Sequence, residues 1–172
     1  MRFFMKLLLT MLFVLYLAVL TKLILFKYIP ISEITNLTNF GFYAHRWNGS
    51  NLIPFKTIQL YWNAENLNLN IRIENLVGNI IGFVPFGFIL PMLVKRFQKL
   101  IMVLIATCYL SFVYEGLQFL TGFGSFDVDD LILNTFGGIL GYFAYKIVLL
   151  MMSYMQKNSP NKTLTILRYF IY

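Results

Sequence analysis

The chain has 172 residues, of which 59% are hydrophobic and only 12% charged, with a formal net charge of +7. Soluble domains carry roughly 25% charged residues, so a water-exposed fold cannot absorb this apolar excess, and the mean hydropathy of +0.70 agrees. An all-α membrane protein can absorb it, and the basic balance then reads as Lys and Arg flanking the spans rather than as a nucleic-acid surface. The single cysteine, Cys108, lies inside an apolar run, which excludes an intramolecular disulfide and any paired-cysteine metal site.

Arg2 and Lys6 lead into the first predicted span, residues 7–29. About 20 apolar residues at 1.5 Å each cross the roughly 30 Å hydrocarbon core. The run is too long for a signal-peptide core, and no small-residue cleavage site follows it, so it is expected to be retained. Residues 30–74 form a long extracytoplasmic connection. Its aromatics (Phe40, Phe42, Tyr43, Trp47, Phe55, Tyr61, Trp62) suit a membrane-interface layer, and the only histidine, His45, reads as an interfacial or capping residue. Leu67, Leu69, Ile71 and Ile73 alternate with Asn68, Asn70 and Arg72, which predicts a short extended segment or one lying along the interface.

The second span is predicted at 75–94. Gly78 and Gly82 make a small-xxx-small step for close helix approach, and Asn75 and Asn79 share a face. Pro85 removes the donor for the Ile81 carbonyl, which predicts a bend. Lys95, Arg96 and Lys99 form a basic turn before the third span at 100–120, where Thr107, Ser111, Glu115 and Gln118 make one polar stripe. Lipid offers such groups no partners, so the stripe is expected to face the bundle. In the fourth span, 130–152, Asp130, Asn134, Gly138 and Tyr142 repeat every fourth residue, and Gly137 with Gly141 gives another small-xxx-small pair. Asp127 or Asp129 is positioned to cap this helix.

The expected architecture is therefore a four-transmembrane-helix bundle over residues 1–152, followed by a cytoplasmic tail at 153–172. With both termini cytoplasmic, most Lys and Arg flanks lie inside and all seven acids lie at or beyond the outer membrane half.

Four of those acids crowd one stretch: Glu115, Asp127, Asp129 and Asp130. One acidic side chain at mid-helix costs roughly 2.5 to 3.5 kcal/mol in translocon insertion, so the cluster marks the expected functional face. Two arrangements for Glu115 are open. It is neutral and hydrogen-bonded to Asn79, Asn134 or Gln118, or it is ionised against Arg46, Lys56 or a ligand's charge.

Three blocks of residues resemble the VanZ-like family of small membrane proteins. The first is Arg46 with Asn51-Leu52-Ile53-Pro54-Phe55 and Lys56. The second is Gly78-Asn79 through Phe83, Pro85, Gly87 and Phe88. The third is Glu115, Gln118, Gly124-Ser125-Phe126-Asp127-Val128-Asp129-Asp130, Asn134, Gly137 and Gly141-Tyr142. The resemblance implies a bacterial plasma-membrane protein linked to low-level tolerance of glycopeptide antibiotics such as teicoplanin. It supplies no mechanism.

Three function classes follow. A binder would receive a lipid-linked or glycopeptide-type ligand at the outer leaflet, with Arg46, Asn51, Pro54, Phe55, Lys56, Asn79, Gln118 and Asn134 as ligand-contacting candidates beside the acids. This reading is preferred. An enzyme acting on a cell-envelope lipid would use Glu115 as buried acid and Asp127, Asp129 and Asp130 as partners, and those three aspartates could also hold a divalent cation. A structural partner would use the same groups only to hold the bundle together. A transporter is disfavoured, because four spans without an inverted repeat give little material for alternating access unless the protein forms a homodimer.

Overall fold

The structure, a computed structural model, describes residues 2–26, 49–64 and 68–158. Within these run α1 (Arg2–Leu25), α2 (Lys56–Asn63), α3 (Leu69–Leu93), a 3-10 turn (Lys95–Gln98), α4 (Leu100–Thr121) and α5 (Val128–Asn158). Four of these helices are long and apolar enough to cross a membrane: Phe3–Leu25, Leu69–Leu93, Leu100–Thr121 and Val128–Met155. The all-α, four-span bundle expected from the sequence is the fold observed.

Burial is inverted relative to a soluble protein. Phe4, Leu8, Leu15, Phe143 and Leu150 are exposed, while Thr107, Ser111, Glu115, Gln118 and Asn134 are buried. Exposed apolar side chains are matched by lipid, whereas polar ones find partners only inside the bundle. The polar stripe of α4 does face inward.

The tightest contact in the bundle is between α3 and α5, and glycine creates it. A Cβ at Gly137 would lie 2.1 Å from the Ile80 carbonyl oxygen, and one at Gly141 would lie 2.0 Å from that of Val84. The two backbones therefore touch, which is how membrane helices gain packing energy when lipid removes the hydrophobic drive. The other predicted glycine pair behaves differently. Gly82 faces Leu20 of α1, but a Cβ at Gly78 would meet nothing within 4 Å, because that position borders a cavity. Tyr16 and Thr21 tie α1 to its neighbours: the Tyr16 hydroxyl donates to the Gly82 carbonyl at 2.7 Å, and the Thr21 and Tyr114 hydroxyls pair at 2.8 Å.

The stretch expected to be extended or to lie along the interface is not extended where it is described: it is helical. Leu69 to Ile73 form the opening turns of α3, and the Asn68 side chain caps them by accepting from the Asn70 amide at 3.0 Å. Leu69, Ile71 and Ile73 are all exposed, so their alternation with polar residues does not separate a buried face from a wet one. The N-cap asparagine was the stronger signal. Accordingly α3 begins before residue 75, continuing through Pro85 and Pro91, and α5 runs past residue 152 to Asn158. His45, Arg46, the loop aromatics before Gly49 and the tail from residue 159 lie outside the described residues.

Contacts at the helix ends fix the directions. Ile24 of α1 meets Gln118 of α4, and Asn79 of α3 meets Asp130 of α5. At the opposite end the Tyr142 hydroxyl donates to the Gln98 carbonyl at 2.8 Å. One end thus gathers Glu74, Glu115, Asp127, Asp129 and Asp130, while the other carries the basic turn of Lys95, Arg96 and Lys99.

Candidate functional site at the acidic end

The site begins with a cap. Asp127 precedes α5, and its Oδ1 accepts from the Asp129 amide at 2.8 Å, satisfying one of the free N–H groups of the first turn. Beside it runs a single parallel bridge: the Asn51 amide donates to the Phe126 carbonyl at 2.8 Å, and the Val128 amide donates to the Asn51 carbonyl at 2.9 Å. The Asn51 side chain, only 7% exposed, then donates to Asp127 Oδ1 at 3.0 Å, to Thr57 Oγ1 at 3.0 Å and to Asp129 Oδ2 at 3.4 Å.

Asp129 is fully buried, and its partners explain how a carboxylate is held there. It accepts from the backbone amides of Phe55, Thr57 and Ile58, the last two at 2.7 and 3.0 Å. These are the first amides of α2. An acid on α5 therefore caps another helix, where the dipole favours negative charge. Phe55 enters α2 at φ 68, a left-handed conformation rare for a bulky side chain. Arg72 closes the other end of α2, with Nε donating to the Tyr61 carbonyl at 2.6 Å and a second guanidinium N–H reaching the Trp62 carbonyl. With both ends of α2 held, Leu60 and Trp62 on it and Leu52, Ile53 and Phe55 just before it are exposed as an apolar and aromatic surface at the end of the bundle. Pro54 and Lys56 are exposed on the same segment.

Glu115 lies one layer deeper, 2% exposed, and its Oε2 accepts from the Asp127 amide at 2.9 Å. The expected bonds to Asn79, Asn134 and Gln118 are not formed, and each of those amides donates elsewhere. Asn79 donates to Asp130 Oδ1 at 2.5 Å, Gln118 to the Ile24 carbonyl at 3.1 Å, and Asn134 to Ser111 Oγ at 2.8 Å. Asn134 Oδ1 is buried and has no hydrogen-bond partner.

These groups surround a cavity of about 320 Å³ between α1, α3, α4 and α5. Glu74, Asn79, Glu115, Gln118, Asp130 and Asn134 supply its polar wall, and Leu20, Leu23, Ile24, Gly78 and Phe83 its apolar one. A second cavity, of about 300 Å³ at the opposite end, is lined by apolar side chains such as Leu8, Leu12, Met92 and Val148.

The sequence candidates therefore divide in two. Asn51, Pro54, Phe55, Lys56, Asp127 and Asp129 belong to the α2 clamp. Asn79, Glu115, Gln118, Asp130 and Asn134 belong to the cavity, and the Glu115–Asp127 bond joins the two groups. Arg46 lies outside the described residues. Among the described residues, no three His, Cys, Asp or Glu side chains are grouped to hold a metal ion. Sequence reasoning missed Arg72 and Thr57. Arg72 was hidden in the apparent alternation, and Thr57 carried no signal apart from its neighbour Lys56.

Four spans, an inward-facing polar stripe and a clamped acidic end define a small multi-pass membrane protein with an embedded polar cavity. The chain belongs to the VanZ/LLP1 family, whose profile matches residues 13–150 and so takes in α2, α3, α4, the acidic stretch, the second half of α1 and most of α5. It is 36% identical over 75 residues to Protein VanZ of Enterococcus faecium. That match covers 42% of this chain and 44% of the relative, so the chain spans under half the length of the curated relative it matches. No solved structure matches the chain.

Proposed function

We propose that the protein binds the headgroup of a lipid-linked cell-envelope ligand at the outer leaflet, and that this binding underlies a contribution to low-level glycopeptide tolerance. The observation that carries the reading is the cavity itself. Its walls are acidic and amide-rich on one side and apolar on the other, which suits a headgroup joined to a chain. At about 320 Å³ it is at the small end of ligand sites, large enough for a headgroup and too small for a whole glycopeptide. The basic turn at the far end supports an orientation with both termini cytoplasmic, in which the cavity would lie at the outer leaflet of a bacterial plasma membrane.

Native mass spectrometry of purified protein tests this. A lipid-linked species should co-purify with the wild type and be lost from Gly78→Leu, which adds bulk at the cavity wall where a Cβ meets no atom within 4 Å. A wild type free of such species, or equal retention by Gly78→Leu, contradicts the reading. A second reading is an enzyme, favoured by Glu115 and Asp130 lining one cavity as a pair of carboxyl groups. Turnover of the co-purified lipid would select it.

A further inference from the structure

The apolar cavity at the basic end of the bundle is a separate site, and the course of α1 creates it. Tyr16, Thr21 and the Ile24 carbonyl tie the other half of α1 to Gly82, Tyr114 and Gln118. Phe13 then stacks on Phe86 with ring centroids 5.8 Å apart. From Leu12 back to Met5 the helix stands off, and a cavity of about 300 Å³ separates it from α3 and α5. Accordingly α1 packs on α3 and α4 but makes little contact with α5. Phe88, Met92 and the buried Tyr145 form the cavity floor. Leu8, Leu12 and Val148 are exposed, which places the mouth between α1 and α5, on the lipid-facing side. Apart from methionine sulfur, the Tyr145 hydroxyl is the one polar side-chain atom among the lining residues. Water needs several polar partners, so this wall selects an apolar occupant. Met5, Met92 and Met152 come from three helices, and their unbranched side chains adapt to an occupant of varying shape.

Around this cavity the charge has one sign. Lys6 follows Met5, Lys95 lies one residue beyond the end of α3, and Lys146 Nζ is 5.9 Å from the centroid of the Tyr145 ring. The basic turn is seated close by, because its Phe97 packs with Met92 on the cluster of Val103, Tyr142 and Tyr145. Among the described residues every Asp and Glu lies at the other end of the bundle. We propose that the cavity holds part of one acyl chain of an anionic phospholipid from the leaflet at this end, with the phosphate at Lys6, Lys95 and Lys146. The size commits the occupant. A cavity at the small end of ligand sites takes a length of chain, whereas a helix of a second copy, about 10 Å across, does not enter it. The chain would bridge the gap between α1 and α5.

Delipidated full-length protein, titrated with phosphatidylglycerol or phosphatidylcholine of identical chains and read by native mass spectrometry, tests the proposal. Wild type should retain one phosphatidylglycerol about tenfold more strongly than phosphatidylcholine. Dihexanoyl phosphatidylglycerol, the same headgroup on short chains, should be held about tenfold more weakly than the long-chain form. Val148→Trp puts bulk at the mouth and should abolish retention, whereas Leu150→Trp, exposed and outside the cavity, should not. Lys6→Gln with Lys95→Gln, both at exposed positions, should remove most of the headgroup preference. Equal retention of the two headgroups by wild type, or an unchanged preference in the double variant, overturns the anionic assignment. Undiminished phosphatidylglycerol on Val148→Trp places the lipid elsewhere and overturns the cavity assignment. If that variant fails to fold, equal binding of the dihexanoyl form by wild type overturns it instead. A lipid-free dimer, or no retained lipid at all, overturns the whole proposal. Gly78→Leu, at the other cavity, should keep its phosphatidylglycerol, so this proposal and the headgroup-binding reading fail separately.

Discussion

The carboxylate of Asp129, on the first turn of α5, accepts the Thr57 amide at 2.7 Å and so caps a helix within the long connection between α1 and α3. With the Phe55 amide bond to the same carboxylate, it joins Asn51-Leu52-Ile53-Pro54-Phe55 and the start of α2 to Asp127-Val128-Asp129-Asp130. Half of the acidic cluster, Asp127 and Asp129, is thus an anchor for α2 and the segment before it, and the other half, Glu115 and Asp130, faces the cavity.

Asp129→Ala should free α2 without dismantling the bundle. Losing a charged cap with several amide partners costs on the order of 2 to 3 kcal/mol. Hydrogen exchange should accelerate at Thr57 and Ile58 while α4 stays protected. Unchanged exchange there would show that α2 is held by something else.

The acidic stretch was legible because carboxylates are expensive near a membrane, and the stripe through Ser111 and Glu115 was legible because helical period places those residues on one face. What each acid does was not legible. Asp127, Asp129 and Asp130 are neighbours in sequence, yet Asp127 and Asp129 turn to Asn51 and α2 while Asp130 turns to Asn79. That division depends on which loop returns to the helix end, a long-range contact that no local pattern encodes. The start of α3 was misread for a local reason: apolar alternation outweighed a capping asparagine at a position where the apolar residues face out.

The α3–α5 contact predicts a sharp contrast between glycines. Gly137→Ala places a methyl on the Ile80 carbonyl and forces the helices apart, at a cost of about 3 kcal/mol or more. Gly116→Ala meets nothing within 4 Å and should be neutral or slightly stabilising. Thermal aggregation midpoints in detergent would measure both, and equal behaviour would refute backbone contact as the basis of the bundle.

Orientation is testable with single cysteines in a Cys108→Ser background. Asn63→Cys, at the end of α2, should react with an impermeant reagent from outside intact cells, and Lys99→Cys, in the basic turn, only after lysis. Outside labelling at Lys99→Cys would invert the map and place the cavity at the inner leaflet.

The central claim is that the acidic cavity, and Glu115 within it, carries function rather than structure. Glu115→Gln tests it most directly, because the glutamine keeps the side-chain oxygen that accepts the Asp127 amide and nearly the same shape, while losing the carboxyl group's capacity for negative charge. Teicoplanin susceptibility should be measured in cells expressing wild type and Glu115→Gln at matched membrane levels. Equal folding and insertion are expected, with most of any tolerance lost. Full tolerance in Glu115→Gln at wild-type membrane levels would contradict it and leave Glu115 as part of a hydrogen-bonded scaffold.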